Sequence, residues 1–205
     1  MAKITQKRLV VAVTGASGAL YAVRFLKATL ELGLDVDLVC SGYGKRLLLE
    51  ECELNLKTQS IEQWLAERYG IDEEQPGSIT IHGENELGAT IASGSQRWLG
   101  MVVIPCSMKS LAGIAQGLSA NLVERAADVT LKEGRKLVLV PRETPLNLIQ
   151  LENLTRAARA GATIVPAMPG FYYGPKTFED LADFMVTRVL SVLGIEHDLF
   201  QSWQG

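Results

Sequence analysis

Arg188 stands on an otherwise apolar helical stripe: it follows Leu181 by seven residues and Phe184 by four, and precedes Val192 by four. A guanidinium does not shed its proton, so a half-buried one calls for an anion, either a protein carboxylate or a ligand phosphate. Arg125 and Lys132 lie one heptad apart, on the helical side that carries Leu122 and Val129. Two cations so placed reach a common anion, or else form a solvated face in which Asp128 and Lys132 make an i,i+4 pair. Glu143 follows Arg142 between Pro141 and Pro145, where a rigid loop restrains the carboxylate. It can act as acid or base, or simply pair with Arg142 or a subunit neighbour. The run Gly15-Ala16-Ser17-Gly18 allows close backbone approach, and the helix start after it offers N–H groups and a positive dipole end to a phosphate. The competing reading of that run is a tight turn that needs glycine for geometry alone.

Other chemistries are disfavoured. His82 and His197 are remote in sequence and lack flanking ligands, so neither a metal site nor a Ser-His-Asp arrangement is expected, and both read as structural or exposed. The three cysteines, Cys40, Cys52 and Cys106, show no CxxC spacing. They encode no disulfide framework and no zinc knuckle, they fit a reducing cytoplasm, and Cys106 reads as an inert buried thiol. The chain lacks GxGxxG and GxxxxGK[ST], and its second strand ends in Cys40-Ser41 rather than the acidic residue that would hold a nicotinamide ribose. Smaller phosphorylated cofactors, FMN among them, remain. Lys plus Arg number 20 against 23 Asp plus Glu, a net charge of -3 without a basic run, so no nucleic-acid partner is expected. The early apolar stretch Leu9 to Val13 is five residues, too short for a signal-peptide core or a bilayer span, and the chain reads as unexported with no membrane partner.

These residues need a frame that gathers them. A chain of 205 residues, 47% hydrophobic and 21% charged, reads as one globular domain, here residues 1–194 with a tail at 195–205. Apolar runs alternate with segments of helical period, which predicts a doubly wound parallel sheet with helical crossovers. Strands are expected at Arg8 to Thr14, Val36 to Cys40, Met101 to Pro105, Leu137 to Val140 and Ala162 to Val165. Helices are expected from Ala19 to a Gly33 cap, at Tyr43 to Cys52, Ser60 to Tyr69, Lys109 to Gln116, Leu122 to Glu133, Leu148 to Ala160, and Thr177 to Gly194. Asp72 to Ser78 reads as a loop. Ligands in such sheets bind beyond the carboxyl ends of the strands. Those ends deliver Thr14 to Gly18, Cys40 to Gly42, Cys106 to Ser110, Pro141 to Pro145 and Pro166 to Tyr173: small residues and hydroxyls first, then a cation, a carboxylate and aromatics.

Six segments in order carry a resemblance: Thr14-Gly15-Ala16-Ser17-Gly18, Ser93-Gly94-Ser95, Pro105 to Lys109, Glu124 to Asp128 with Leu131-Lys132-Glu133, Pro141 to Pro145, and Pro169-Gly170-Phe171-Tyr172. Together they resemble the UbiX-type flavin prenyltransferases along nearly the whole chain. The resemblance implies a flavodoxin-like (Rossmann-like) α/β fold. It also implies a metal-independent reaction that joins the dimethylallyl group of dimethylallyl monophosphate to reduced FMN at N5 and C6, with the prenylated FMN passing to a UbiD-type decarboxylase. By motif position, Gly15, Ala16, Ser17, Ser41, Ser107, Met108, Lys109, Ser110 and Arg142 resemble the FMN contacts, Ser17 lying near the flavin N5. Tyr172, Arg188, Lys132 and Arg125 resemble the residues that grip the substrate phosphate. Glu143 resembles the acid-base residue, with Ser17, Lys132 and Tyr172 beside it in catalysis. The family's sites lie between subunits, so a homododecamer is implied. Leu87 stands where some members have an aromatic residue, and Gly134 where many have a basic one, the latter read as a matter of local charge. Two other readings remain: a flavin-dependent cysteine-type decarboxylase, which would need a His base, and a non-catalytic FMN carrier.

Overall fold

The central strands are apolar at nearly every position because successive side chains enter two different cores. In β1 (Arg8–Val13), Leu9, Val11 and Val13 join one cluster and Val10 and Ala12 the other. The same alternation runs through β4 (Gly100–Cys106) and β5 (Lys136–Pro141), as expected where helices cover both faces. The protein is described by a computed structural model for residues 7–71 and 77–199. With β2 (Asp35–Cys40), β3 (Ile79–His82) and β6 (Thr163–Ile164), these strands form one parallel sheet in the order β3-β2-β1-β4-β5-β6. Helices α1 (Ala19–Glu31), α2 (Gly42–Cys52), α3 (Ile61–Tyr69) and α7 (Phe178–Leu193) supply the first core. Helices α4 (Met108–Ala115), α5 (Leu122–Lys132) and α6 (Leu148–Arg159) supply the second.

The five strands predicted from sequence are present, with no end displaced by more than one residue. The sixth, β3, is not among the strands expected from sequence: of the loop expected at Asp72 to Ser78, residues 72–76 lie outside the described residues, and Gly77 and Ser78 lead without helix or strand into this short edge strand, whose Thr80 and Ile81 are exposed. Without that edge strand the remaining five follow the flavodoxin-like order, with the change of direction between β1 and β4. The capping boxes Ser60/Gln63 and Thr177/Asp180 form as the spacing predicts, and Asn147/Gln150 adds a third. Gly134, at φ 66°, closes α5 in the left-handed region, so its departure from the family pattern concerns backbone conformation as well as charge.

One polar residue breaks the apolar alternation of β2. Asp37 is 1% exposed and is held by Arg8 Nε at 3.2 Å and His82 Nε2 at 2.8 Å, tying β2 to both of its neighbours. His82 is therefore a structural histidine, buried at the sheet edge.

Candidate functional site

Thr14 is the pin of the switch point. Its hydroxyl donates to Pro105 O at 2.9 Å and accepts from Ser107 N at 2.8 Å, fixing the carboxyl ends of β1 and β4 against each other. Beyond this pin lies a cavity of about 400 Å³, within the size range of small-molecule sites. Six of the nine residues expected to contact the cofactor line it: Gly15, Ser41, Ser107, Met108, Lys109 and Ser110. Glu143 lines it too, with its Oε1 accepting from Thr144 N at 3.0 Å. A Cβ at Gly15 would lie 2.7 Å from Tyr43 Cβ, so glycine is what lets the β1 turn pass this wall.

Three helices aim their amino ends at this space. The N-caps of α2, α4 and α5 are Ser41, Ser107 and Asn121, and all three line the cavity. Ser41 Oγ accepts from Gly44 N at 3.0 Å, Ser107 Oγ from Ser110 N at 3.2 Å, and Asn121 Oδ1 from Glu124 N at 3.0 Å. Ser107 Oγ also donates to Ser110 Oγ at 3.1 Å. Hydroxyls and helix dipoles converging on one crevice suit the phosphate and polyol of a flavin mononucleotide. Asn121, Glu124, Glu84, Gly42 and Tyr43 also line the cavity; Gly42 falls in an expected strand end and Glu124 in a resemblance segment, but none of the five is assigned a site role from sequence. Asn121 was legible as a cap immediately before Leu122, whereas Glu84 follows the strand that sequence reasoning missed.

The start of α1 departs from expectation. Its Gly18 and Ala19 N–H groups donate to Glu51 Oε2 at 2.8 and 2.7 Å, so a carboxylate of α2 holds the dipole end that was read as a phosphate cradle. Close by, Arg142 Nε donates to Ser17 O at 2.7 Å, which joins the β5 loop to the β1 turn; Ala16 is buried and Ser17 exposed. The Arg142 charge reaches Tyr21, whose hydroxyl burial pushes above its usual range, and Tyr21 in turn acts on Tyr173. That neighbourhood carries an aromatic cluster in which Tyr173 stacks on Phe184 with centroids 5.2 Å apart, and Tyr172 meets Phe184 edge-on at 5.9 Å. Tyr172 itself is 68% exposed.

The remaining cations lie elsewhere on the chain. Arg188 shares a stripe with Leu181, Phe184 and Val192 as the spacing indicated, but that stripe is only partly buried and Arg188 is exposed. This corrects the half-buried expectation, because the core-facing stripe of α7 is Ala182, Met185, Val186, Val189, Leu190 and Leu193. Arg125 and Lys132 flank one turn, as their shared helix face suggested. Arg125 Nε donates to Ala92 O at 3.1 Å, and a Cβ at Gly94 would lie 2.9 Å from Lys132 Nζ. The Asp128–Lys132 pair does not form; Asp128 Oδ2 instead accepts from Arg125 at 3.0 Å, and Lys132 Nζ lies 2.5 Å from Glu133 Oε1, pulling that carboxyl below its usual range. Lys132 is eight residues beyond Glu124 on α5, roughly 12 Å farther from the cavity at 1.5 Å per residue. One chain therefore does not bring Lys132 to the cavity that Glu143 lines.

Burial pushes the Cys106 and Cys40 thiols up to about 12 and Cys52 to about 11, each free of any disulfide. Because only the thiolate attacks, folded protein at pH 8 should leave Cys40 and Cys106 unalkylated by iodoacetamide while unfolded protein takes label at all three. Peptide mass mapping checks this, and rapid native labelling of Cys106 would contradict an inert thiol.

A doubly wound parallel sheet with a hydroxyl-lined crevice at its switch point defines a flavoprotein of the nucleotide-binding α/β class. The Flavoprotein family matches residues 2–190. The flavin prenyltransferase UbiX of Alkalihalophilus pseudofirmus is 47% identical over 99% of both chains. The solved structure of AnUbiX (PadA1) in complex with FMN and dimethylallyl pyrophosphate superposes with a TM-score of 0.87 at 38% identity, covering 98% of each chain. A dodecameric FMN-dependent UbiX-like decarboxylase from Escherichia coli O157:H7 matches with a TM-score of 0.81 at 44% identity, covering 97% of this chain and 99% of that one. The chain belongs to the UbiX-type flavin prenyltransferases.

Proposed function

We propose that the protein joins the dimethylallyl group of dimethylallyl monophosphate to reduced FMN and delivers the prenylated flavin to a UbiD-type decarboxylase. The observation that carries this reading is the switch-point cavity, where six expected cofactor residues and Glu143 line one space. Ala16, Ser17 and Arg142 form the adjoining corner through the Arg142–Ser17 bond.

When bound, reduced FMN would supply nucleophilic N5 and C6: the C–N bond would replace the ester C–O bond, whose electron pair leaves on phosphate while N5 gives up its proton, and the C–C bond would be made at the expense of the allyl C=C, with one proton added to the chain and one lost from C6. The leaving group gains negative charge as the bond opens, so cations are best spent on it: Arg125, Lys132 and Arg188 are assigned that role, with the exposed Tyr172 hydroxyl as a further donor. Glu143 is assigned the protons that must shift as the second bond, at C6, closes the new ring. Arg142 holds the β1 turn in place through Ser17 O.

The cations reach this site by assembly. We take the protein to be a homododecamer, supported by the dodecameric relative and by large apolar side chains left uncovered on one chain, among them Leu148 and Ile149 on α6 and Phe171 and Phe178 beside the aromatic cluster. Residues 1–194 are taken as the flavoprotein domain and 195–205 as the tail, whose first residue, Ile195, packs into the core. A cytoplasmic location is supported by three free cysteines and by the absence, among the described residues, of any helix long and apolar enough to cross a membrane. The cysteine-decarboxylase alternative draws nothing from His82, which is turned onto Asp37 within the sheet.

Anaerobic incubation of purified protein with reduced FMN and dimethylallyl monophosphate should yield flavin heavier by one C5 unit. Flavin of unchanged mass would overturn the assignment.

A further inference from the structure

Three carboxylates line the cavity, and two of them are engaged with their own surroundings. Glu124 Oε2 accepts from Ala120 N at 2.9 Å, and Glu143 Oε1 from Thr144 N. Glu84 is different. Its Oε2 accepts from Gly42 N, the first residue of α2, at 2.8 Å, while its backbone oxygen accepts from Leu122 N, the first residue of α5, at 2.8 Å. It is thus anchored at one helix start and reaches across to another. The first turn of α2 has no acidic residue of its own, so the negative charge its dipole attracts is supplied by Glu84.

The Gly42 amide is therefore a demonstrated anion donor on the wall of the proposed FMN cavity, next to Ser41. The flavin's orientation can be read from the sheet. Gly42 follows β2 and Glu143 follows β5, three strand spacings away in the order β2-β1-β4-β5, or roughly 14 Å at ~4.8 Å each. With the reacting ring at the Glu143 end, the phosphate falls toward the β2 end. There it meets the donors that Glu84 holds, and two anions cannot share one N–H at close range without strong repulsion.

We infer that Glu84 is a displaceable internal anion that holds the phosphate position of the cofactor site and yields it when FMN binds, so that it weakens FMN loading without affecting flavin that lacks a phosphate. The inference rests on the FMN reading above and concerns a residue outside the sequence-predicted set.

The test uses the full chain freed of flavin, titrated with FMN and with riboflavin by fluorescence quenching at low and high salt. Glu84→Gln is expected to bind FMN about tenfold more tightly, with riboflavin within about twofold and a smaller FMN gain at high salt. Glu84→Ala, which removes the side chain altogether, should shift the FMN-to-riboflavin affinity ratio in the same direction. Unchanged or weaker FMN binding in both variants overturns the inference while leaving the flavoprotein reading intact. Equal tightening toward both flavins overturns it as well, since the carboxylate would then act on the ring or ribityl chain. Failure of the folded wild-type protein to bind either flavin would sink the FMN reading, and this inference with it.

Discussion

Glu143→Gln is expected to retain FMN and lose turnover by about 10²- to 10⁴-fold, the range for removal of a positioned acid-base group. The substitution is close to isosteric. Glutamine keeps a carbonyl oxygen to accept from Thr144 N, the 3.0 Å contact that orients the present carboxylate. The flanking Pro141 and Pro145 are untouched, so the loop keeps its course along the cavity wall. What is lost is the capacity to take up and return a proton. Six other expected cofactor contacts remain in place on the cavity wall, and for that reason binding and chemistry should separate. Flavin fluorescence reports the first, and anaerobic single-turnover mass analysis the second. Turnover near the wild-type rate would remove Glu143 from the mechanism; FMN lost together with turnover would make it a binding residue.

Much of this site was legible in the sequence because its parts are local. Continuous apolar runs mark β1, β4 and β5, and the small residues that follow them must fall at the carboxyl edge. The residues that escaped are those whose meaning comes from distant partners. Glu51 caps α1 across 33 residues and Glu84 caps α2 across 42, and neither pairing leaves a periodic trace. Asp37 reads as an interruption of a strand until Arg8 and His82 are seen to close on it. Strand β3 is four residues long at an edge, with two exposed residues at its centre in place of a continuous apolar run. For Arg188 the four-residue spacing identified a true stripe of α7 but not which stripe faces the core, because both carry hydrophobes. A helix that meets neighbours on two sides gives one chain too little information to rank them.

Lys132→Ala should cost turnover about 10²- to 10³-fold, as for loss of a cation aimed at developing charge. Its more telling consequence lies in mixtures. Within one chain Lys132 sits at the carboxyl end of α5, beside the Gly94 turn and its own Glu133, whereas the cavity is lined from the amino end of that helix. A small phosphoester next to Glu143 of one copy must then take its Lys132 from another. Inactive Lys132→Ala subunits and inactive Glu143→Gln subunits, unfolded together and reassembled, should regain activity, since some sites in a mixed oligomer combine an intact Lys132 with an intact Glu143. Native mass spectrometry verifies that subunits have mixed, and the prenylated-flavin mass assay reads the recovery. Verified mixing with no recovery would place both side chains in the same subunit's site, or Lys132 in none. The first result would require Lys132 to reach the cavity from the far end of its own α5, and the second would move the phosphate grip to other residues, with Arg142, already bonded to Ser17 O, as the first to test.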